Sequence, residues 1–158
     1  MDDLLALVHS AVIRRENVAD ILGVNDTTSQ AGLVFSPGQA AALLEARDLA
    51  LAGSGRLELG TGVVKKLILA FYDSPFFFRE RAVDTLESLT DTFYQLKNET
   101  FDTLSDDELI RFLREHFDGE CQGSLTMLRD AAFEQLVRQA HGAAREDERE
   151  DGWEDSDA

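Results

Sequence analysis

The sequence predicts an all-α protein, and three features of the 158-residue chain support this prediction. The chain contains only two prolines and few runs of β-branched residues. Apolar residues recur at the spacing of an amphipathic helix, and the segments between these stretches are short, which favours antiparallel neighbours. We therefore expect one domain over residues 1–142, built as a bundle of about six helices. A chain of this length can bury a hydrophobic core without metals or disulfides.

The N-terminal region predicts two helices. The first has apolar residues assigned to one face, and the second is short and ends at Gly23, since glycine often follows the last turn of a helix. The residues assigned to the face of the first helix are Leu4, Leu5, Val8, Val12 and Ile13, and those of the second are Val18, Ile21 and Leu22.

The third helix has the clearest start. Ser36 is a typical N-cap, Pro37 suits the first helical position, and Gln39 can complete a capping box. A glycine-rich segment follows this helix after Gly53. Its residues 57–59 could pair with residues 33–35 in one very short two-stranded β ribbon, which would be marginal alone.

Four further apolar patterns predict the rest of the bundle. The first of them ends at Asp73-Ser74-Pro75, because the residue before a proline is driven out of the helical region. Ser105 and Ser124 are the predicted caps of the last two helices, and Gly119 is the predicted left-handed residue between them. The core positions are Val63, Val64, Leu67, Ile68 and Phe71; Val83, Leu86, Leu89, Phe93 and Leu96; Leu109, Ile110, Phe112, Leu113 and Phe117; and Leu125, Leu128, Ala132, Leu136 and Ala140.

The charge of the chain restricts its partners. A formal net charge of −16 repels phosphate backbones and anionic lipids, which disfavours ordinary nucleic-acid binding and membrane binding. The most apolar stretch is interrupted by Lys65 and Lys66 and is too short to cross a bilayer. One cysteine, Cys121, and no export signal indicate a cytoplasmic protein. Residues 143–158 are acidic and unpatterned, and we expect a disordered tail.

The segment EHFDGECQGS, residues 115–124, concentrates reactive side chains. His116 and Cys121 could suggest a metal or catalytic site, but a zinc site usually needs four convergent ligands. A histidine in the last turn of a helix also suits the negative end of the helix dipole. We therefore interpret the segment as a connection between two helices, with no catalytic residue, metal or cofactor.

The segment FYDSPFFF, residues 71–78, is the densest aromatic cluster in the chain. Three consecutive phenylalanines cannot all face one core from a single helix, and exposed aromatic residues often mark protein contacts. Phe76, Phe77 and Phe78 are therefore the candidate interface residues, and a loop folded back over the core is the alternative.

Five short elements, GRLE, AFYDSP, FYQLKNE, DDEL and CQGS, occur in order along the chain. With them, the sequence resembles a bacterial family of unknown function over about residues 25–128. This resemblance implies no activity, ligand or catalytic residue. It does direct attention to Arg56, Lys97 and Gln122, because helix geometry alone does not require these residue types.

These observations favour a non-enzymatic cytoplasmic protein-interaction module that binds a protein partner or forms a homo-oligomer. The alternative is an enzyme or small-ligand-binding protein with a polar pocket made of Arg56, Glu58, Lys97, Cys121 and Gln122. A weaker alternative is an acidic mimic of nucleic acid, because the negative charge could copy a phosphate array.

Overall fold

The computed structural model describes residues 2–143, and all regular secondary structure in that range is helical. Six helices are longer than one turn, so the prediction of an all-α fold with about six helices is confirmed. The β ribbon does not form, since no strand occurs within residues 2–143. The helices are α1 (Asp2–Leu22), the single turn α2 (Asn25–Thr28), α3 (Pro37–Gly53), α4 (Gly62–Phe71), α5 (Ala82–Glu99), α6 (Asp106–Asp118) and α7 (Leu125–Ala132).

The chain divides into two compact units, Met1–Asp91 and Thr92–Ala158. Helix α5 begins in the first unit and continues into the second. None of the helices described between residues 2 and 143 has the length and apolar character needed to cross a membrane. The acidic tail predicted from residue 143 onward lies, beyond its first residue, outside the described residues.

The helix starts follow the predicted caps. The Gln39 backbone N–H donates to Ser36 Oγ at 3.1 Å, and the Ser36 N–H donates back to Gln39 Oε1 at 2.9 Å, which completes the capping box. Ser105 Oγ accepts from the backbone N–H of Glu108 at 3.1 Å. Ser124 Oγ likewise accepts from the third residue of its helix. Each serine satisfies a backbone donor that has no partner inside the helix.

The core of the first unit forms where the apolar periodicity of α3, α4 and the start of α5 predicted it. Every predicted core position of α4 is buried, and Leu67, Ile68 and Phe71 are fully inaccessible to solvent. Leu43 and Leu44 of α3 are also buried. In the second unit the fully buried residues include Phe93, Tyr94, Leu96, Leu109, Leu113 and Phe117.

The prediction for the N-terminus is wrong in two respects. The two expected helices are one continuous 21-residue helix, α1, which ends just before Gly23. Its expected core face is exposed, since Leu4 is 66% and Val8 52% accessible. Ile13 does not share the face of Leu4 either, because nine residues at about 100° each leave the two on opposite sides of a helix.

The core face of the last helix is also displaced from the predicted one. Leu128 and Ala132 are buried as expected, but Val137 is buried farther along, whereas Leu136 is only partly buried. A π-helical turn over Phe133–Val137 explains the change. This wider turn holds more residues than an α-turn and therefore advances the buried position by one.

Candidate functional site

The segment between α6 and α7 is a tight turn, as its backbone conformation shows. Gly119 is not left-handed, as the sequence predicted, but has φ −81° and ψ −112°. A Cβ atom at Gly119 would lie 3.0 Å from the Glu115 carbonyl oxygen, so close packing explains this glycine. The positive φ angles occur instead at Gln122 (46°) and Gly123 (83°), where the backbone reverses before Ser124.

The reactive side chains of this connection have structural contacts. His116 Nδ1 lies 2.5 Å from Glu120 Oε1, and the His116 ring packs against Phe112 with centroids 4.1 Å apart. Cys121 is only 2% exposed. Burial raises the pKa of the Cys121 thiol, and the negative charge of Glu120 raises it further. A buried thiol with an elevated pKa is a poor nucleophile and a poor metal ligand at neutral pH.

The described part of the chain, residues 2–143, brings together no three histidine, cysteine, aspartate or glutamate side chains in a group that could hold a metal ion. His116 and Glu120 approach each other, but no third ligand of these types completes their group in this range.

The five residues of the predicted polar pocket belong to different units. Arg56 and Glu58 lie in the first unit, and Lys97, Cys121 and Gln122 lie in the second. Lys97 has a structural role in its own unit, because its Nζ donates to the Leu104 carbonyl at 2.7 Å and lies 3.0 Å from Asp106 Oδ1. A shared pocket of the five residues stays a prediction.

The three candidate interface phenylalanines differ in exposure. Phe77 is 8% exposed and lies in the core, and Phe76 is partly buried. Phe78 is 58% exposed, just before the 3₁₀ turn at Arg79–Arg81. Of the three side chains, Phe78 alone presents most of its ring to solvent, and its role at an interface stays a prediction.

A larger exposed apolar surface lies on α1, and we refer to it as the apolar stripe. Every described residue from 3 to 13 is exposed, so this part of the helix extends away from the core. At about 100° per residue, the apolar side chains cover nearly half of the helix circumference. The stripe consists of Leu4 (66% exposed), Leu5 (62%), Leu7 (67%), Val8 (52%) and Val12 (47%).

The side of α1 that carries Ile13, Arg14 and Asn17 faces α3 across an open cleft of about 510 Å³. Arg14 from α1 and Arg47 from α3 share the carboxylate of Asp48. Arg14 Nη1 lies 2.9 Å from Asp48 Oδ2, and Arg47 Nη2 lies 2.9 Å from Asp48 Oδ1. Ile13 and Leu59 line the apolar part of the cleft. The two guanidinium groups and one carboxylate give this cleft a formal charge of +1.

The buried side chain of Arg47 connects α3 to the loop that borders the cleft. Its side chain is 5% exposed, and its Nη1 donates to the carbonyl oxygen of Gly60 in the loop before α4. From α1, Asn17 Nδ2 donates to the neighbouring carbonyl of Leu59 at 3.3 Å. The loop is therefore fixed to both helices, and the side chains that line the cleft have defined positions.

The sequence reasoning did not identify the apolar stripe or the cleft as sites. One sequence signal for the cleft was present, because Arg47 follows Ala40, Leu43 and Leu44 at helical spacing on the buried face of α3. A charged residue on an apolar face needs partners, and those partners are the cleft residue Asp48 and the loop carbonyl. No comparable sequence signal distinguishes the exposed leucines of α1 from core residues.

Comparison with protein families gives a match over most of the chain. Residues 20–146 match the model of a family of unknown function, DUF6323. This range includes α2 to α7 and the cleft residues Arg47 and Asp48, but it omits most of α1. Neither the curated proteins nor the solved structures include a match to the chain.

Proposed function

We propose that this chain, which belongs to DUF6323, a family of unknown function, is a non-enzymatic interaction module whose partner is a second copy of itself. The apolar stripe of α1 supports this proposal. Contiguous exposed apolar patches mark interaction surfaces, and a helical segment of 11 residues has little stability in water by itself. Packing against a second helix would shield the leucines and stabilise the helix.

The order of residues along the stripe fits an antiparallel copy of the same helix. Leu4, Val8 and Val12 are equally spaced, so a two-fold axis beside Val8 places Leu4 of one copy opposite Val12 of the other. Helices that pair in this way form a closed, self-complementary interface, which is the commonest arrangement in soluble dimers. The spacing therefore supports a second copy as the occupant of the stripe.

The charges at the two ends of the stripe favour the same arrangement. Asp3 precedes the apolar residues, and Arg15 follows them; both are exposed. In the antiparallel pair, Asp3 of one copy lies within about 3 Å, along the helix axis, of Arg15 of the other copy. Asp3 projects about 140° away from Val8 around its helix, so the two opposite charges attract each other across the pair without direct contact. Parallel pairing would instead place like charges beside each other, and like charges repel.

Sedimentation velocity on the full chain tests this proposal. A stripe on one helix is smaller than a standard interface of roughly 800 Å² per partner, so we expect a weak dimer that appears between about 5 and 500 µM. The substitution Val8→Asp places two carboxylates at the two-fold axis and should leave only monomer. The matched control is Leu49→Asp, which adds the same charge to a 69% exposed leucine of α3.

At concentrations too low for the dimer to form, both variants should have the circular dichroism spectrum of the wild type, because neither side chain is buried. A wild-type chain that remains monomeric at the highest concentration contradicts the proposal. Equal weakening by Val8→Asp and Leu49→Asp also contradicts it, since net charge rather than the stripe would then control association. In the same assay, Phe78→Ser tests whether the exposed phenylalanine contributes.

A further inference from the structure

We propose that the cleft between α1 and α3 binds a small organic carboxylate with an apolar body. Most of the residues that line this site from α1 lie away from the apolar stripe, and Ala11 and Arg14 border the stripe residue Leu7. The volume of about 510 Å³ falls in the range of small-molecule sites, which is roughly 300–1,000 Å³. Such sites combine apolar walls with a few fixed polar groups, and this cleft has both.

The charge of the cleft selects an anion. The chain as a whole has 31 acidic and 15 basic side chains, yet the cleft combines Arg14, Arg47 and a single carboxylate from Asp48. Its formal charge of +1 matches a monocarboxylate. A phosphate group carries about −1.5 to −2 at neutral pH and would leave excess negative charge beside an acidic protein.

Arg14 is the group that would contact the carboxylate. Arg47 is almost fully buried and binds Asp48 and the Gly60 carbonyl, whereas the Arg14 side chain is 41% exposed. An arginine has five N–H donors, and the bond to Asp48 uses a nitrogen at one edge of the guanidinium. The remaining edge can bind a carboxylate through two parallel hydrogen bonds. Asp48 thus acts as a positioning residue that fixes the orientation of Arg14.

The apolar part of the ligand has a complementary wall. Ile13 and Leu59 line the same cleft and are 44% and 71% exposed, respectively. Ala11 also lines the cleft. A ligand with its carboxylate on Arg14 can cover these side chains with a short alkyl chain or an aromatic ring. Free fatty acids of short chain length and aromatic acids share this chemistry.

An NMR titration of the ¹⁵N-labelled full-length protein with hexanoate, phenylacetate and neutral phenylacetamide tests the site. We expect both carboxylates to shift the amide signals of Ser10, Asn17 and Asp48 in a saturable way. Phenylacetamide, which has the same ring as phenylacetate but no charge, should bind about tenfold more weakly or not at all, because it forms no charge-assisted hydrogen bonds with Arg14.

A pair of substitutions distinguishes a specific contact of the Arg14 guanidinium from a general effect of positive charge. Arg14→Gln should weaken binding about tenfold or more, whereas Arg15→Gln, with the same loss of charge on the neighbouring residue, should leave it unchanged. The Arg14 ion pair is partly exposed, so the variant should fold, and its amide spectrum checks this. Leu59→Ser tests the apolar wall independently and should weaken hexanoate binding.

The proposal fails if phenylacetamide binds as well as phenylacetate, because the cleft would then be a purely apolar surface. It also fails if Arg14→Gln and Arg15→Gln have the same effect, or if the shifted amides lie outside the cleft. Shifts that grow linearly up to about 20 mM carboxylate, without saturation, would indicate only non-specific association and would likewise overturn it.

Discussion

Reversing the charges at the ends of the apolar stripe tests the antiparallel pairing of α1 most directly. In the proposed dimer, Asp3 of each copy lies near the level of Arg15 of the other copy along the helix axis, so the two-fold axis generates two equivalent long-range pairs of opposite charge. Both side chains are exposed in the single chain. Asp3→Arg or Arg15→Asp alone would convert both attractive interactions into repulsive ones. The double substitution would restore two attractive interactions with the charges exchanged.

The energy of exposed ion pairs in contact on helices, about 0.3–0.5 kcal/mol each, sets the upper limit of the effect. Replacing two attractive interactions by two repulsive ones therefore changes the association free energy by at most about 1–2 kcal/mol, or up to about thirtyfold in affinity. The effect should decrease in high salt, because ions screen exposed charges. Sedimentation velocity in low and high salt measures both quantities.

Net charge supplies the control for this experiment. Asp3→Arg raises the formal charge of each chain by two, from −16 to −14, whereas Arg15→Asp lowers it by two, to −18. If overall repulsion governed association, the first variant would strengthen the dimer and the second would weaken it. The antiparallel pairing requires both to weaken it and the double variant to recover. A double variant as weak as the single ones would refute the pairing.

Two further predictions concern stability and reactivity. Thr61 Oγ donates a hydrogen bond to Asp20 Oδ2, and this bond, followed by the one from Lys65, lowers the pKa of Asp20. The ionised Asp20 therefore stabilises the fold at pH values above its pKa in the unfolded chain, and this stabilisation is lost as the pH falls through its pKa in the folded protein. The unfolding free energy of the wild type should consequently decrease more steeply between about pH 5 and pH 2 than that of Asp20→Asn in urea titrations, and parallel curves would disprove the assignment. Because Cys121 is buried and its pKa is raised, iodoacetamide should alkylate it at least about tenfold more slowly in the native protein than in urea, and equal rates would show that the thiol is accessible.

Local sequence signals determined the helix starts and much of the core. Ser36, Ser105 and Ser124 each accept a hydrogen bond from a backbone N–H three residues later, and this interaction involves only neighbouring residues. The predicted core residues of α4 are buried because they form one continuous hydrophobic face. The resemblance to a family of unknown function was also correct, and the family match extends over residues 20–146.

Predictions from local sequence patterns were wrong where the exact backbone conformation of a turn decided the structure. The sequence places glycine at 119 correctly as a helix end, but the backbone reverses at Gln122 and Gly123 instead. The π-turn after α7 changes which side chain is buried, and periodicity calculated at one fixed angle cannot include such a turn. The five residues of the predicted polar pocket belong to two units, and their sharing of one pocket stays a prediction.

The sequence by itself determined that α1 is helical and carries many apolar residues, but only the tertiary structure decided which of its sides meets the protein. Hydrophobic periodicity reports that a face is apolar; it does not report whether a surface from elsewhere in the chain is available to cover that face. In this fold α3 packs on the side of Arg14 and Asn17, where polar groups can form specific contacts. The leucines of α1 consequently remain exposed, and the cleft forms because Arg47 and Asp48 arrive from a helix more than thirty residues away.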